Sequence, residues 1–296
     1  LFYQGHVTDA HIELERAYAQ VGGNGQINMA LCCDFLSWRL SLHTDVERRY
    51  TFSERYAALL CYHDASWINI WSATSAYYHA LRGETDKIPE IFSQHRLSDI
   101  HLLAPGKPMM EMIENQVYLA QGAYAKVVGR SAELLAACEA MHYALVALHI
   151  RIQTAAAYAR LGKPETAHTW LQKALSDAGP DGLVMPFAEN YSLLKPLLAR
   201  ETRSAFAARI TALGEAAQAR GAERLRPAAF RALTAREFEI VELMAQRLSN
   251  REIAQKCYLS EGSVKQYVNQ IYSKLHIEGD TRTKRAQLAA LLHEKT

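Results

Sequence analysis

Lys265, Gln266 and Asn269 fall within five residues and share one arc of a helix at 100° per residue, together with Gln270 and Ser273. The arc is polar throughout and has no acidic residue, whereas an ordinary solvated face mixes Glu with Lys. These are the side-chain types that read base edges in a major groove. Gln and Asn pair with adenine in bidentate fashion, and Lys suits guanine. Just upstream, Ser260 and Ser263 sit where free backbone N–H groups at a helix start suit a phosphate. The partner this chemistry points to is double-stranded DNA.

Such an arc has to be held by a helix with an apolar back. From about Glu261 to His276, Val264, Val268, Ile271 and Leu275 follow the spacing of a single buried stripe. Two shorter helices are predicted before it. Thr234-Ala235-Arg236-Glu237 reads as a capping box opening a helix with Phe238, Val241 and Ala245 on one face and Ile240 and Met244 beside them. Ser249-Asn250-Arg251-Glu252 repeats the device, with Ile253 and Ala254 inward. Cys257-Tyr258-Leu259 then makes a tight turn, and Ser260 is the third N-cap. Short capped helices joined by a tight turn are the helix-turn-helix arrangement.

In register with these features stand LTAREFEIVELMA, LSNREIA, LSEGSVK and NQIYSKL. Residues 233–275 therefore resemble the LuxR-type (NarL/FixJ-type) helix-turn-helix of bacterial transcriptional regulators. The resemblance implies base contacts at Lys265, Gln266 and Asn269, on the arc already derived. It implies phosphate contacts at Thr234, Ser249, Asn250, Ser260, Ser263, Tyr267 and Arg282. It also implies a fourth helix for dimerisation, here Thr283 to His293, with Ala286, Ala289 and Ala290 beside Leu288, and hence a homodimer on a two-fold site. Four positions depart from the family pattern. Arg247 stands where Gly is usual, Cys257 replaces Leu, Tyr258 replaces a small or polar residue, and Tyr267 replaces the common His.

The preceding residues, Ala10 to Arg220, have a helical period and lack strand signals. Gly83, Gly122 and Gly162 recur at intervals of about 40 residues, with His43 one interval earlier, each between two helical stretches. Gly at such a turn suits a helix C-cap with positive φ. This reads as a helical pair repeated about four times, which buries its apolar stripes by stacking. Residues 158–178 (YARLGKPETAHTWLQKALSDA) resemble a tetratricopeptide repeat, and 174–199 resemble the end of the helical-repeat region of MalT-like bacterial regulators. Aromatic residues Trp67, Trp71, Tyr77, Tyr78, Tyr118, Tyr143 and Tyr158 are candidates for the concave face of such an array. Of these, Trp67, Trp71, Tyr78, Tyr118 and Tyr158 are taken as a groove for a small hydroxylated ligand, a peptide or a protein partner. The plainer alternative is that the rings fill gaps between helices.

Composition narrows the function further. The chain has 296 residues, 49% of them hydrophobic, and a net charge of +2. From Phe230 onward 11 Lys+Arg face 8 Asp+Glu, a mildly basic end on a near-neutral body. No apolar run is long enough to span a membrane, no signal peptide is visible, and a cytoplasmic location is expected. Five scattered cysteines lack metal-ligand spacing and read as reduced thiols acting as small core residues. His142 and His149, seven apart on what reads as one helical face, are taken as structural, because no ligand-type residue joins them. No phosphate-binding loop, G-x-S-x-G or H-E-x-x-H is present. No catalytic residue, metal or cofactor is therefore assigned, and the chain is not expected to be an enzyme. Leu1 to Gly5 (LFYQG) reads as a protease-site scar or the start of a fragment and is set aside from fold reasoning.

The expected fold is all-α: a tetratricopeptide-like helical-hairpin solenoid over 6–220, a linker over 221–232, and a four-helix LuxR-type domain over 233–296. The expected function is a sequence-specific transcriptional regulator whose repeats sense a ligand or partner. The alternative is a helical-repeat interaction scaffold, or a fragment of a MalT-like ATPase regulator, whose C-terminal module does not bind DNA by itself.

Overall fold

The computed structural model describes the backbone except at residues 22–25, 46–47, 63–64, 101–103, 225–227, 231 and 294–296. Side chains are in addition not described for Tyr62, Ala65, Ala104, Arg224, Ala228, Ala235, Thr281, Arg282, Ala289 and His293. The described residues contain helices and no strands, and they form two compact units, Leu1–Gln218 and Ala219–Thr296.

The first unit begins with α1 (Val7–Val21), α2 (Ile27–Leu40), α3 (Phe52–Leu59) and α4 (Ala65–Arg82). A 3₁₀ turn (Thr85–Lys87) and the one-turn α5 (Glu90–Ser93) lead to α6 (Lys107–Ala120), α7 (Tyr124–Ala140), α8 (Ala144–Arg160) and α9 (Pro164–Ala178). The unit closes with α10 (Met185–Glu189), α11 (Tyr191–Leu198) and α12 (Ala205–Arg224), which runs past its boundary.

The turn chemistry read from the glycines holds. Gly122 has φ +77° and Gly162 +72°, each just past the end of a helix. At each the next residue's N–H reaches five positions back, Ala123 to Tyr118 O at 2.8 Å and Lys163 to Tyr158 O at 3.0 Å, so glycine avoids the cost of Cβ in the left-handed region. His142 makes the same turn at φ +55°. It therefore ends α7 while His149 lies buried on α8, and the two histidines do not share a helix face.

The pairs become irregular towards the N-terminal half. A full helix is expected after Gly83, but Pro89 stands in it and cannot donate to a continuing ladder. The chain instead makes the 3₁₀ turn and α5. Ile88 and Phe92 still reach the core, at 6% and 0% exposure. The Gly22–Gly25 break lies outside the described residues.

Helix α8 is central. Apart from Arg151, residues Val146 to Ala157 are all buried, as expected of a helix packed on every side. It packs against α6, α7, α9, α10 and α11. One apolar cluster joins α1 and α2 to α8–α12, and a second joins α4–α8. Leu1–Gly5 belongs to the first: Phe2 is buried, and the Tyr3 carbonyl accepts from Met185 N at 3.0 Å. Leu1–Gly5 is thus part of the fold and not an appendage, because its aromatic rings fill a place in the core that local pattern does not show. Cysteines also divide, with Cys33, Cys138 and Cys257 buried and Cys32 and Cys61 exposed.

Buried charge is the unexpected feature of this unit. Arg39 on α2 forms a bidentate pair with Glu189 on α10, at 2.7 and 2.8 Å, with side-chain exposures of 4% and 0%. Arg39 also donates to Tyr3 OH at 2.9 Å, and Tyr77 OH donates to Glu189 at 3.1 Å. Burial alone would push the Glu189 carboxyl up, but the Arg39 guanidinium beside it holds it below the usual range. Burial, reinforced by Arg39, pushes the nearby His149 imidazole down to about 4. On α2, Asp34 accepts from Tyr18 OH at 2.7 Å and is paired with Arg55.

The second unit holds α13 (Ala235–Ala245), α14 (Asn250–Cys257), α15 (Glu261–Lys274) and α16 (Thr281–His293). Its core is Phe230, Leu233, Ile240, Val241, Met244, Ile253, Val264, Ile271 and their neighbours. Two features differ from the expected linker. Helix α12 continues through Arg224, and Phe230, with its ring 5.6 Å from that of Phe238, is a fully buried core residue.

Candidate nucleic-acid interface

All three start signals of the C-terminal unit form. Thr234 caps α13 and Ser249 caps α14, each accepting from the N–H of the glutamate three residues on, Glu237 and Glu252, whose carboxylates accept from the cap N–H at 2.7 Å. Ser260 caps α15 differently. Ser263 occupies the third position, its N–H reaching Ser260 Oγ at 3.0 Å and its hydroxyl lying 2.8 Å from that oxygen. The first two helix starts thus carry a carboxylate against their free N–H groups, and α15 has hydroxyls there, with the exposed Glu261 at its first position. An incoming anion therefore meets the least opposing charge at the third.

Helix α15 presents the expected arc. Lys265, Gln266, Asn269, Gln270 and Ser273 are all exposed, while Val264 and Ile271 are fully buried and Val268 and Leu275 half-buried. The base-reading candidates are therefore brought together on an open face. The helix is held by its neighbours. Lys274 at its end donates to Glu237 at 2.8 Å, and Arg236 on α13 donates to the Cys257 carbonyl at the end of α14. Burial alone would raise the Glu237 carboxyl, but Lys274 and the Thr234 cap hold it below the usual range.

The phosphate candidates fare unequally. Ser260 and Ser263 lie together at the start of α15. Thr234 and Ser249 have hydroxyls engaged by their own caps, and Ser249 Oγ also donates to Glu252 at 2.7 Å. Asn250 Oδ1 accepts from Arg285 at 3.4 Å, and Tyr267 is half-buried against the core. The side chain of Arg282 lies outside the described residues. The fourth helix starts at Thr281, two residues before the expected Thr283, and is capped by Asp280, whose carboxylate accepts from Thr283 N at 2.8 Å. Of the dimerisation residues, Ala286 and Ala290 are exposed, and the Ala289 side chain is not described. Leu288 points the other way and is 1% exposed in the core.

Two of the departing positions have a left-handed backbone. Arg247 follows α13 with φ +62°, the left-handed conformation that glycine adopts freely. Tyr258 follows α14 with φ +54°, and its ring is 96% exposed two residues before the Ser260 cap.

In the first unit the candidate groove aromatics do not form one surface. Trp71 lines an open cleft of about 540 Å³. Tyr77 is buried on the Arg39–Glu189 pair, and Tyr78 is buried edge-on to Trp38. Tyr118 stacks on His95 with centroids 3.8 Å apart, and Tyr158 lies under Lys163. Trp67 is half-buried on α4, and Tyr143 is the N-cap residue of α8. Arg39 and Glu189 are not among the residues that the sequence marks out. The one available signal is that Asp34 and Arg39 are charges in the otherwise apolar α2 (INMALCCDFLSWRL).

Residues 231–286 match the family described as bacterial regulatory proteins, luxR family. The C-terminal unit carries a LuxR-type helix-turn-helix domain. The chain is also similar to the transcriptional regulatory protein LnrK of Bacillus subtilis (strain 168), at 44% identity over 50 residues, which is 17% of this chain and 23% of that protein. No solved structure matches the chain. No helix among the described residues is long and apolar enough to cross a membrane.

Proposed function

We propose that the protein is a sequence-specific DNA-binding transcriptional regulator acting from the cytoplasm. In this reading α15 enters the major groove. Lys265, Gln266 and Asn269 read bases, and Ser260 and Ser263 with the helix start hold a phosphate. Thr234, Ser249, Asn250, Tyr267 and Arg282 are secondary phosphate contacts. Two copies meet through α16 at Ala286, Ala289 and Ala290 and bind a two-fold site, with half-sites about one helical turn apart. The single observation that carries the reading is the exposed, acid-free polar arc of α15, backed by a buried stripe and braced by Lys274. The preceding helices, 6–220, act as the sensor, and their paired helices are read as a tetratricopeptide-like solenoid.

The test is a gel-shift salt series on the full chain. Binding is expected to fall linearly in log–log form, with a slope of about −0.9 per phosphate neutralised. Absence of binding to any duplex at low salt overturns the reading in favour of an interaction scaffold.

A further inference from the structure

The cleft beside α4 has walls, a floor and a charge that together specify a ligand. Its walls are Phe52, Tyr56 and Trp71, whose rings stand at steep angles to one another: Tyr56 and Trp71 centroids are 4.8 Å apart at 43°, and Phe52 meets Trp71 at 6.1 Å and 89°. The rings are fixed from behind. Trp71 Nε1 donates to the Phe52 carbonyl at 3.1 Å, and Phe52 stacks on Trp38. Such a box accepts a flat apolar group at little entropic cost, because its sides are already ordered.

Ser72 and Ser75 lie on the same stretch of α4 and also line the cleft. Both residues are buried, at 6% and 3% exposure. Their neighbour Thr74 satisfies its hydroxyl on the Ile70 carbonyl at 3.1 Å. Neither serine hydroxyl has a hydrogen-bond partner among the described residues, yet neither is sealed from solvent. A hydroxyl that is open to the cleft and has no protein partner keeps its hydrogen-bonding capacity for a ligand's polar atoms. Lys87 adds an ammonium to the lining, 3.6 Å from the Glu84 carboxylate behind it and with its side chain 56% exposed, and no lining residue is acidic. His79, also in the lining, is already engaged on its other side by Glu84 at 2.7 Å.

We propose that this cleft binds a small planar aromatic carboxylate, its ring held by Phe52, Tyr56 and Trp71 and its carboxylate by the Ser72 and Ser75 hydroxyls with Lys87 as counter-charge. The inference deepens the sensor part of the proposed function and names the class of effector. Cationic ligands, which aromatic boxes also hold, are disfavoured here by Lys87 and by the lack of an acidic residue in the lining, since Glu84 is already paired with His79, Arg82 and Lys87.

The test is calorimetric titration of the full chain with benzoate and salicylate, alongside benzamide, benzyltrimethylammonium and methyl glucoside as neutral, cationic and sugar probes. A saturable carboxylate isotherm is expected at or below about 1 mM, with benzamide about tenfold weaker. Ser72→Ala with Ser75→Ala, and separately Lys87→Met, should each weaken the carboxylate about tenfold. Alanine suits a helix and Lys87 is exposed, so these variants should keep the wild-type thermal midpoint. The proposal is overturned if neither acid binds by about 10 mM, if the variants bind unchanged, or if another probe binds more tightly. A low-salt gel shift on the same preparation separates the two readings: DNA binding without carboxylate binding overturns the cleft alone, and carboxylate binding without DNA binding overturns the regulator.

Discussion

The two units handle polar side chains in opposite ways. The first turns charge inward: Arg39, Glu189 and Asp34 lie in its core, with Gln116, Gln153 and Asn190 linked by hydrogen bonds of 3.0 Å. Among its described residues the second unit buries one charged side chain, Glu237, in a core otherwise built of apolar and aromatic residues, and it turns the polar face of α15 outward. A buried polar group has spent its bonding capacity on the fold, whereas an exposed one without a partner still has it for binding. Buried charge in the first unit therefore reports on stability, and exposed charge on α15 reports on recognition.

The sharpest way to break this contrast is Arg39→Met. It leaves Glu189 buried without a counter-ion and should destabilise the first unit by about 3–5 kcal/mol. All four tryptophans, at 38, 67, 71 and 170, lie in that unit, so their fluorescence in a denaturant series reads it selectively. A midpoint within error of wild type would mean the pair is not buried as described.

Acid should separate the units next. The folded His149 has its pKa near 4, below the ordinary value of about 6.5. The unfolded chain therefore takes up a proton that the folded one refuses, and the first unit loses stability as pH falls from about 6.5 towards 4, by on the order of 3 kcal/mol. Glu237 and Glu252 are also shifted down, below the carboxylate range, but for an acid this favours the charged form. Their contribution is present above about pH 4.3 and is lost only as pH falls through their lower folded values. Tryptophan-detected unfolding against pH, compared with amide exchange in 233–293, should show the first unit failing earlier, and His149→Gln should flatten its slope between pH 6.5 and 4. Simultaneous loss in both units would refute the distinction.

On the outward face the signs reverse. Lys265→Ala, Gln266→Ala and Asn269→Ala should each cost about 1–3 kcal/mol at a specific site and relax its sequence preference. Each should change stability by less than about 0.5 kcal/mol. Equilibrium binding to the selected operator and thermal melts of the same variants check both halves, and a stability loss without a binding loss would move these residues into the structural class. The smallest effect is expected at Arg247→Gly. Relieving a left-handed non-glycine residue should stabilise the second unit by about 0.5–1 kcal/mol, read as a raised melting temperature.

Legibility in the sequence follows the same divide. The C-terminal unit was readable because its signals are local: a cap and its glutamate are three residues apart, and a buried stripe repeats every three or four. Even there, Asp280 as the cap of α16 and Phe230 as a core residue were missed, since each needs the neighbouring element to give it meaning. In the first unit the turns at Gly122 and Gly162 were readable for the same local reason. Arg39 and Glu189 were not, because 150 residues separate them and neither carries a mark of its partner.

The sequence by itself determined the helices, their caps and turns, and the acid-free arc of α15, because hydrogen bonding within a turn and periodic burial act over a few residues. Only the tertiary structure decided which aromatics are filler and which face solvent. It buried Tyr77 and Tyr78, left Trp71 on an open cleft above two unpartnered serines, and drew Phe2 and Tyr3 into the core. The physical reason is that burial and ion pairing depend on which surfaces meet, and that is settled by packing between elements far apart in the chain.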